Sequence, residues 1–385
     1  MTLRFLLILV ALAISGAPRG SADEVDVWLA TIAAAGPEGA GSVAARAASQ
    51  SLARQDASIL PRLLTAMETD NPVAANWGRS AFEAIVEREL SSGRPMFPTS
   101  AVQALVVDPR RAGRVRRLAL ALCEQLEPGY SKRVVAKMLA DPEFRQDAVD
   151  LALSAGQLAL DAGDSETARE RFRQAFEHAR DGGQAQRAAG KLAGLGEQAD
   201  IADHLGLVVD WWLVGPFDAP QNSGFAREYL PHDRVDLAGR YVGQEGREIG
   251  WVRYRTADSL GLVNLAQAIA PAKEAVGYAY AELTSPRDLA GQVRCGADDN
   301  CTVWLNGEKV FGREQWLNGS RFDRFVAPVQ LRRGSNQLLV KICQGPQHKD
   351  PQVPNNWSLQ LRLCDEEGKG LPLRTAPTDV PEARK

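Results

Sequence analysis

This 385-residue chain has little of what most catalytic and nucleic-acid-binding proteins are built with. Its four histidines, His178, His204, His232 and His348, are scattered without metal-ligand spacing. It has no G-x-S-x-G, no H-E-x-x-H, no phosphate loop and no G-x-G-x-x-G opening a helix, which removes the common signatures of nucleophilic, zinc and nucleotide chemistry. Carboxylates are plentiful, yet the sequence marks out no pair as a glycosidase's acid and base, so a non-catalytic protein is expected. Neither sign of charge dominates: the net charge is -3, the first half being mildly acidic and the second neutral. Without a basic face there is no nucleic-acid footprint.

Long apolar runs are also missing. The one candidate, Phe5 to Ile14, follows Arg4 and precedes small residues ending in Gly20-Ser21-Ala22, the layout of a secretory signal over residues 1–22. It is too short to span a bilayer, so the expectation is cleavage, export to the periplasm or beyond, and no membrane span afterwards. No cysteine follows the run, which leaves a lipoprotein attachment without support. Export in turn makes disulfides chemically accessible.

Residues 23–205 are rich in Ala, Leu, Arg and Glu, with apolar residues at helical spacing. Punctuation recurs at Asp70-Asn-Pro72, Asp108-Pro109 and Asp141-Pro142, the Asp residues 38 and 33 positions apart. Asp or Asn before Pro suits a helix start, the side chain capping and the ring fitting the first turn. Helix pairs at this period imply an α-solenoid. Asp108 followed by Val115-Arg116 and Ala119 is similar to HEAT repeats. Ala155 to Asp164 with Ala168, Phe172 and Ala175-Phe176 resembles a tetratricopeptide unit. Such a stack is either a surface for another exported protein or a spacer. The run Arg110, Arg111, Arg114, Arg116 and Arg117 cannot face one way on a helix, which favours a solvated face over an anion site.

Composition changes after Gly206: six of the eight tryptophans lie beyond it, among short β-prone runs. Trp211 or Trp212 with Gly215-Pro216-Phe217, then Gly224-Phe225, Tyr229-Leu-Pro231 and Trp251, resembles the entry strand of a module of exported bacterial proteins. Strands are expected at about 250–256, 276–284, 290–295, 301–305, 309–312, 322–331, 336–343 and 357–364. The order strand, Gly334-Ser-Asn336 turn, Leu338-Leu-Val-Lys341 strand and closing Trp357–Leu363 strand is similar to galactose-binding-like sandwiches. The expected fold class is therefore multidomain α + β. A signal (1–22) precedes an all-α helical-repeat solenoid (23–205), an all-β jelly-roll or galactose-binding-like sandwich (206–367) and a polar tail (368–385).

Five cysteines remain to be placed. Strand parity turns Cys295 and Cys301 inward at opposite ends of a five-residue turn, where a bridge across the hairpin is expected. Cys343 and Cys364 face outward with their register open, and Cys123 sits among leucines as a buried thiol.

The densest constellation is Asp298-Asp299-Asn300, with Asp323 as an outside contributor. Paired carboxylates and an amide on one loop are hard oxygen ligands suited to calcium. The resemblance to PA14-like lectins implies that Asp298 and Asp299 hold calcium and calcium holds sugar hydroxyls, though Asn300 stands where such loops often carry glycine. The competing reading is an ordinary hairpin turn. Trp304 and Trp316 add aromatic surface of the kind that stacks on sugar rings, whereas Trp211, Trp212, Trp251 and Trp357 read as core. The expected function is carbohydrate binding through Asp298, Asp299, Asn300, Trp304 and Trp316, the alternative being a scaffold for another exported protein.

Overall fold

The computed structural model describes residues 22–316, 319–350, 352 and 356–375. The expected signal and the last ten residues of the expected tail lie almost wholly outside the described residues. The chain divides into two compact units, Met1–Val135 and Ala136–Lys385.

The first unit is helical: α1 (Ala22–Ala33), α2 (Ser42–Ala53), α3 (Leu60–Ala66), α4 (Pro72–Ser91), α5 (Thr99–Val107), α6 (Gly113–Leu126) and α7 (Tyr130–Val135). Its core is aliphatic, with Leu52, Leu60, Leu64, Ile85, Val102 and Val115 fully buried. Each such side chain contributes about 2 kcal/mol of transfer free energy. The helices approach closely: a Cβ on Gly78 of α4 would lie 2.8 Å from Met67 Cγ.

The Pro punctuation works in two ways. Asn71 caps α4, its Oδ1 accepting from Val73 N at 3.0 Å and Ala74 N at 3.2 Å. Asp108 instead caps a turn before α6, accepting from Arg110 N at 3.1 Å. The arginine run is consumed locally. Exposed Arg110 pairs with Asp108 at 2.8 Å, and Arg111 with Glu68 at 3.0 Å. Arg114 donates to Met67 O at 3.1 Å, and buried Arg116 to Val106 O at 3.0 Å.

The second unit begins with four helices, α8 (Arg145–Asp161), α9 (Ser165–His178), α10 (Gly182–Gly194) and α11 (Ile201–Leu205). Asp164, Asp181 and Asp200 cap the last three, accepting from Thr167 N, Gln184 N and Asp203 N at 2.9–3.0 Å. Gly156 is needed where Phe172 crosses α8, since a Cβ there would lie 2.6 Å from the ring.

Thirteen strands follow among the described residues: β1 (Asp210–Asp218), β2 (Arg240–Val242), β3 (Glu248–Gly250), β4 (Val252–Arg255), β5 (Val263–Asn264), β6 (Ala275–Ser285), β7 (Leu289–Ala297), β8 (Cys301–Leu305), β9 (Glu308–Arg313), β10 (Phe325–Leu331), β11 (Gly334–Gln344), β12 (Ser358–Cys364) and β13 (Arg374–Thr375). They form a seven-stranded antiparallel sheet in the order β4-β1-β6-β11-β8-β9, with β13 also on β6, and a four-stranded sheet β10-β7-β12-β5. The α + β class expected from the sequence is thus what the chain forms.

Alternation explains the layers. Leu338, Val340 and Ile342 of β11 face the core between the sheets, along with Val293, Val303, Leu359, Leu361 and Trp357. Leu339 and Cys343 face the other way, into a second apolar layer with Phe217, Trp251, Tyr278, Tyr280 and Trp304, covered by residues from the excursion at about 219–250. That cover, with β2, β3 and β5, was absent from the expected strand set. Residues 370–375, expected in the tail, instead pack on the sandwich: Leu371 joins the core and Arg374 pairs with Thr284.

Among the contacts that join the last helices to the sandwich is one buried arginine. Arg362 of β12 is 1% exposed and uses every guanidinium N–H. Its Nε donates to Asp323 Oδ1 at 2.7 Å. Its Nη1 donates to Leu205 O at 3.3 Å and Gly368 O at 2.8 Å. Its Nη2 donates to Asp323 Oδ2 and, at 3.4 Å, to Arg180 O. Phe322 lies under the guanidinium at 4.9 Å. A buried charge held this completely is structural. Asp323, anticipated as a contributor to the acidic loop, belongs here, its second partner being Arg294 at 3.2 Å.

Candidate functional site

The turn between β7 and β8 places Asp298, Asp299 and Asn300 at one end of the sandwich, 5%, 2% and 0% exposed. An ordinary hairpin turn would leave such residues in water. Here other segments close over them, because the long pairing of β6 with β11 runs to Ala275↔Gln344 and brings both strand ends to the turn.

Each acidic-loop residue is anchored by backbone. Asp299 Oδ2 accepts from Gly345 N at 2.9 Å, and the Asn300 carbonyl accepts from Cys343 N at 2.9 Å. Asn300 Oδ1 accepts from Gln315 N, and the Ser320 backbone N–H donates to Asp298. With its amide oriented to satisfy both ends, Gln344 accepts from Lys273 Nζ at 3.0 Å and donates to Asn356 O at 3.1 Å. One group is left over: Asn300 Nδ2 is buried and has no partner among the described residues. Native structures rarely tolerate such a donor, which costs about 1–3 kcal/mol when unmet.

Charge at the site is strained. Burial first, and then the neighbouring Asp299, push the Asp298 carboxyl up to about 6, with the Ser320 N–H, Arg324 and Lys273 pulling the other way. Burial lowers Lys273, and the two carboxylates oppose that.

The structure gathers some of the expected residues and separates others. Trp316 is half-buried beside Asp299: a Cβ on Gly345 would lie 3.2 Å from Asp299 Oδ2 and 3.3 Å from Trp316 Cε3, so a larger residue would press on both side chains. Trp304 is elsewhere. It faces the second apolar layer, is 7% exposed and stacks on His232 at 5.6 Å with the rings 15° apart, so its expected role as an accessible sugar platform is corrected. The cover comes mainly from the 219–250 excursion, and Trp316 packs against the same layer. Lys273, Arg324, Gln344 and Gly345 were not among the expected site residues. No local motif marks them, and only the strand register brings them in.

The donor set does not fit calcium. That ion takes six to eight oxygens in an open shell. Asp299 already receives a backbone N–H, as does Asp298, and an ammonium group faces both. Among the described residues no group of three or more His, Cys, Asp or Glu side chains is placed to hold a metal ion. What the cluster offers instead is two recessed acceptors, an unused amide donor and an indole edge.

Cys295 and Cys301 both point inward, as parity required, and are free thiols in this structure. Among the described residues no helix is long and apolar enough to cross a membrane.

No protein-family profile matches the sequence, and no curated protein matches it. Among solved structures, the chain is similar to a GH2 beta-galacturonidase from Eisenbergiella tayi at 10% identity over 41% of this chain and 25% of that one, with a TM-score of 0.23. A beta-glucuronidase from an uncultured Clostridium sp. aligns at 11% identity over 42% and 29%, with a TM-score of 0.25. A beta-glucosidase from Kluyveromyces marxianus aligns at 11% identity over 73% and 35%, with a TM-score of 0.27. The chain spans roughly a quarter to a third of the length of these enzymes, and likeness this distant carries no argument about what it does.

Proposed function

We propose that this is a non-catalytic, exported binding protein whose sandwich takes a neutral, hydroxyl-rich carbohydrate at the cluster of Asp298, Asp299 and Asn300, with Trp316 at its rim. The observation that carries the reading is the buried, unpartnered Asn300 Nδ2 beside two recessed carboxylates. A sugar offers both what the carboxylates accept and what the amide lacks: hydroxyl donors and ring or hydroxyl acceptors. Lys273 and Arg324 balance the carboxylates, which favours an uncharged ligand. The similarity of the strand order to galactose-binding-like sandwiches agrees with this, and the secretory layout of residues 1–22 supports export.

The test is a glycan and polysaccharide screen of the full chain, with calcium and again with chelator. Binding of neutral glycans that persists under chelation is expected. Binding abolished by chelator would return the loop to a metal role, and no binding would move the assignment to the helices.

The second reading is a scaffold whose helical repeats dock another exported protein. It is favoured by two apolar grooves in the first unit. One of about 630 Å³ is lined by Leu29, Ala33, Pro61 and Leu105. One of about 480 Å³ is lined by Phe82, Val86, Leu90 and Leu118.

A further inference from the structure

We propose that Cys295 and Cys301 form a disulfide that staples the two sheets together directly beneath Asp298–Asn300, and that Cys123, Cys343 and Cys364 remain thiols. Cys295 lies on β7 of the four-stranded sheet, paired with Phe325 and Leu361. Cys301 lies on β8 of the seven-stranded sheet, paired with Arg313 and Ile342. Both side chains enter the core between the sheets, 2% and 0% exposed. Both belong to the same core cluster, and the neighbouring Cys295 together with burial pushes the Cys301 thiol well up.

Topology excludes every competing pair within the second unit. Cys343 is in the outer apolar layer, on the far face of the seven-stranded sheet from Cys301. Cys364 follows Leu363, which faces the core, and so lies with Arg362 on the outer face of the other sheet. The two are therefore separated by the whole sandwich core. Cys123 is buried on α6 of the first unit, its thiol pushed up to about 11 by burial.

A buried neutral thiol is a poor nucleophile, so bridge formation belongs to folding, while the turn is still open. The oxidant is a low-molecular-weight disulfide. One cysteine thiolate attacks it, breaking its S–S bond, forming a mixed disulfide and releasing one thiolate. The second cysteine thiolate attacks the protein-side sulfur, forms the Cys295–Cys301 bond and expels the other thiolate. The pair gives up two electrons and two protons, and the oxidant leaves as two thiols. The closed bridge restricts the turn that carries the proposed binding residues.

The experiment is to refold the full chain in a mixture of reduced and oxidised glutathione, quench with acid, alkylate under denaturing conditions and digest without reduction. Trypsin leaves both cysteines in one peptide, after Arg294 and up to Lys309. The expected result is that this peptide is lighter by two hydrogens and unalkylated, while Cys123, Cys343 and Cys364 carry the label. Label on both Cys295 and Cys301 in soluble refolded chain, or a bridge to another cysteine, would overturn the proposal. As an independent readout, reductant should lower the Tm of the oxidised protein by roughly 5 °C and leave that of Cys295→Ala unchanged. Equal responses in the two proteins would also overturn it.

Discussion

Two carboxylate sites in the second unit, one part-buried at Asp323 and one buried at Asp298 and Asp299, differ in what surrounds them. Asp323 meets two arginines, and the more buried of these, Arg362, has every N–H bonded. Asp298 and Asp299 share a turn with an amide donor, Asn300 Nδ2, that has no partner among the described residues. Full pairing is what holds parts of a chain together. Under the proposed function, the unmet donor at the turn is what a bound ligand would satisfy.

The largest expected effect tests the paired side. Arg362→Ala leaves Asp323 with Arg294 alone and strands three backbone carbonyls, and should cost about 3–5 kcal/mol in denaturant unfolding, the range for breaking a buried pair. The fragment 206–367 lacks the Arg180, Leu205 and Gly368 acceptors and should unfold far more easily than Ala136–Lys385. Equal stability of the two would remove the joint from the account.

Next comes the packing around the acidic turn. Gly345→Ala drives a methyl between Asp299 and Trp316, and should cost about 1–3 kcal/mol together with glycan binding. An unchanged protein would mean that the two side chains are not held in contact.

A smaller effect has a defined sign. Asp298 has a folded pKa near 6 against an ordinary 3.8, so between those values the folded chain binds more protons than the unfolded one. Its contribution is most favourable at low pH and is lost as pH rises through about 6. Asp298→Asn should therefore raise the Tm at pH 7 relative to wild type, with the gain shrinking toward pH 4. A gain that grows on acidification would contradict the buried state of this carboxyl.

The smallest effect calibrates the rest. Exposed Arg110, although bonded to Asp108, should tolerate Ala with no measurable change in Tm, whereas Arg116→Ala, six residues on in the same basic run, should lower it clearly.

Much of the fold was legible because periodicity reports burial. Leu338, Val340 and Ile342 alternate with Leu339 and Lys341, and the two sets do face opposite layers. Asn71-Pro72 reads as a helix start and is one. The misreadings share a cause, which is that parity gives a face but not its cover. Trp304 was correctly turned away from the core, yet the 219–250 excursion buries it beneath His232. Arg362 alternates outward with equal regularity, but its outside is filled by helix-end carbonyls, so an apparently solvated arginine becomes the joint. The acidic loop was visible, whereas Lys273, Gln344 and Gly345 reach it only through a register between strands far apart in sequence.

The most direct test of the central claim is a calorimetric titration of the full chain with the best neutral glycan from the screen, in chelator, beside Asp299→Asn and Trp316→Ala. The account predicts saturable binding by wild type, weakened by both substitutions while the Tm stays close to wild type. Wild-type chain that binds no neutral glycan, or variants that bind as well as it does, would contradict the assignment of this turn as the ligand site.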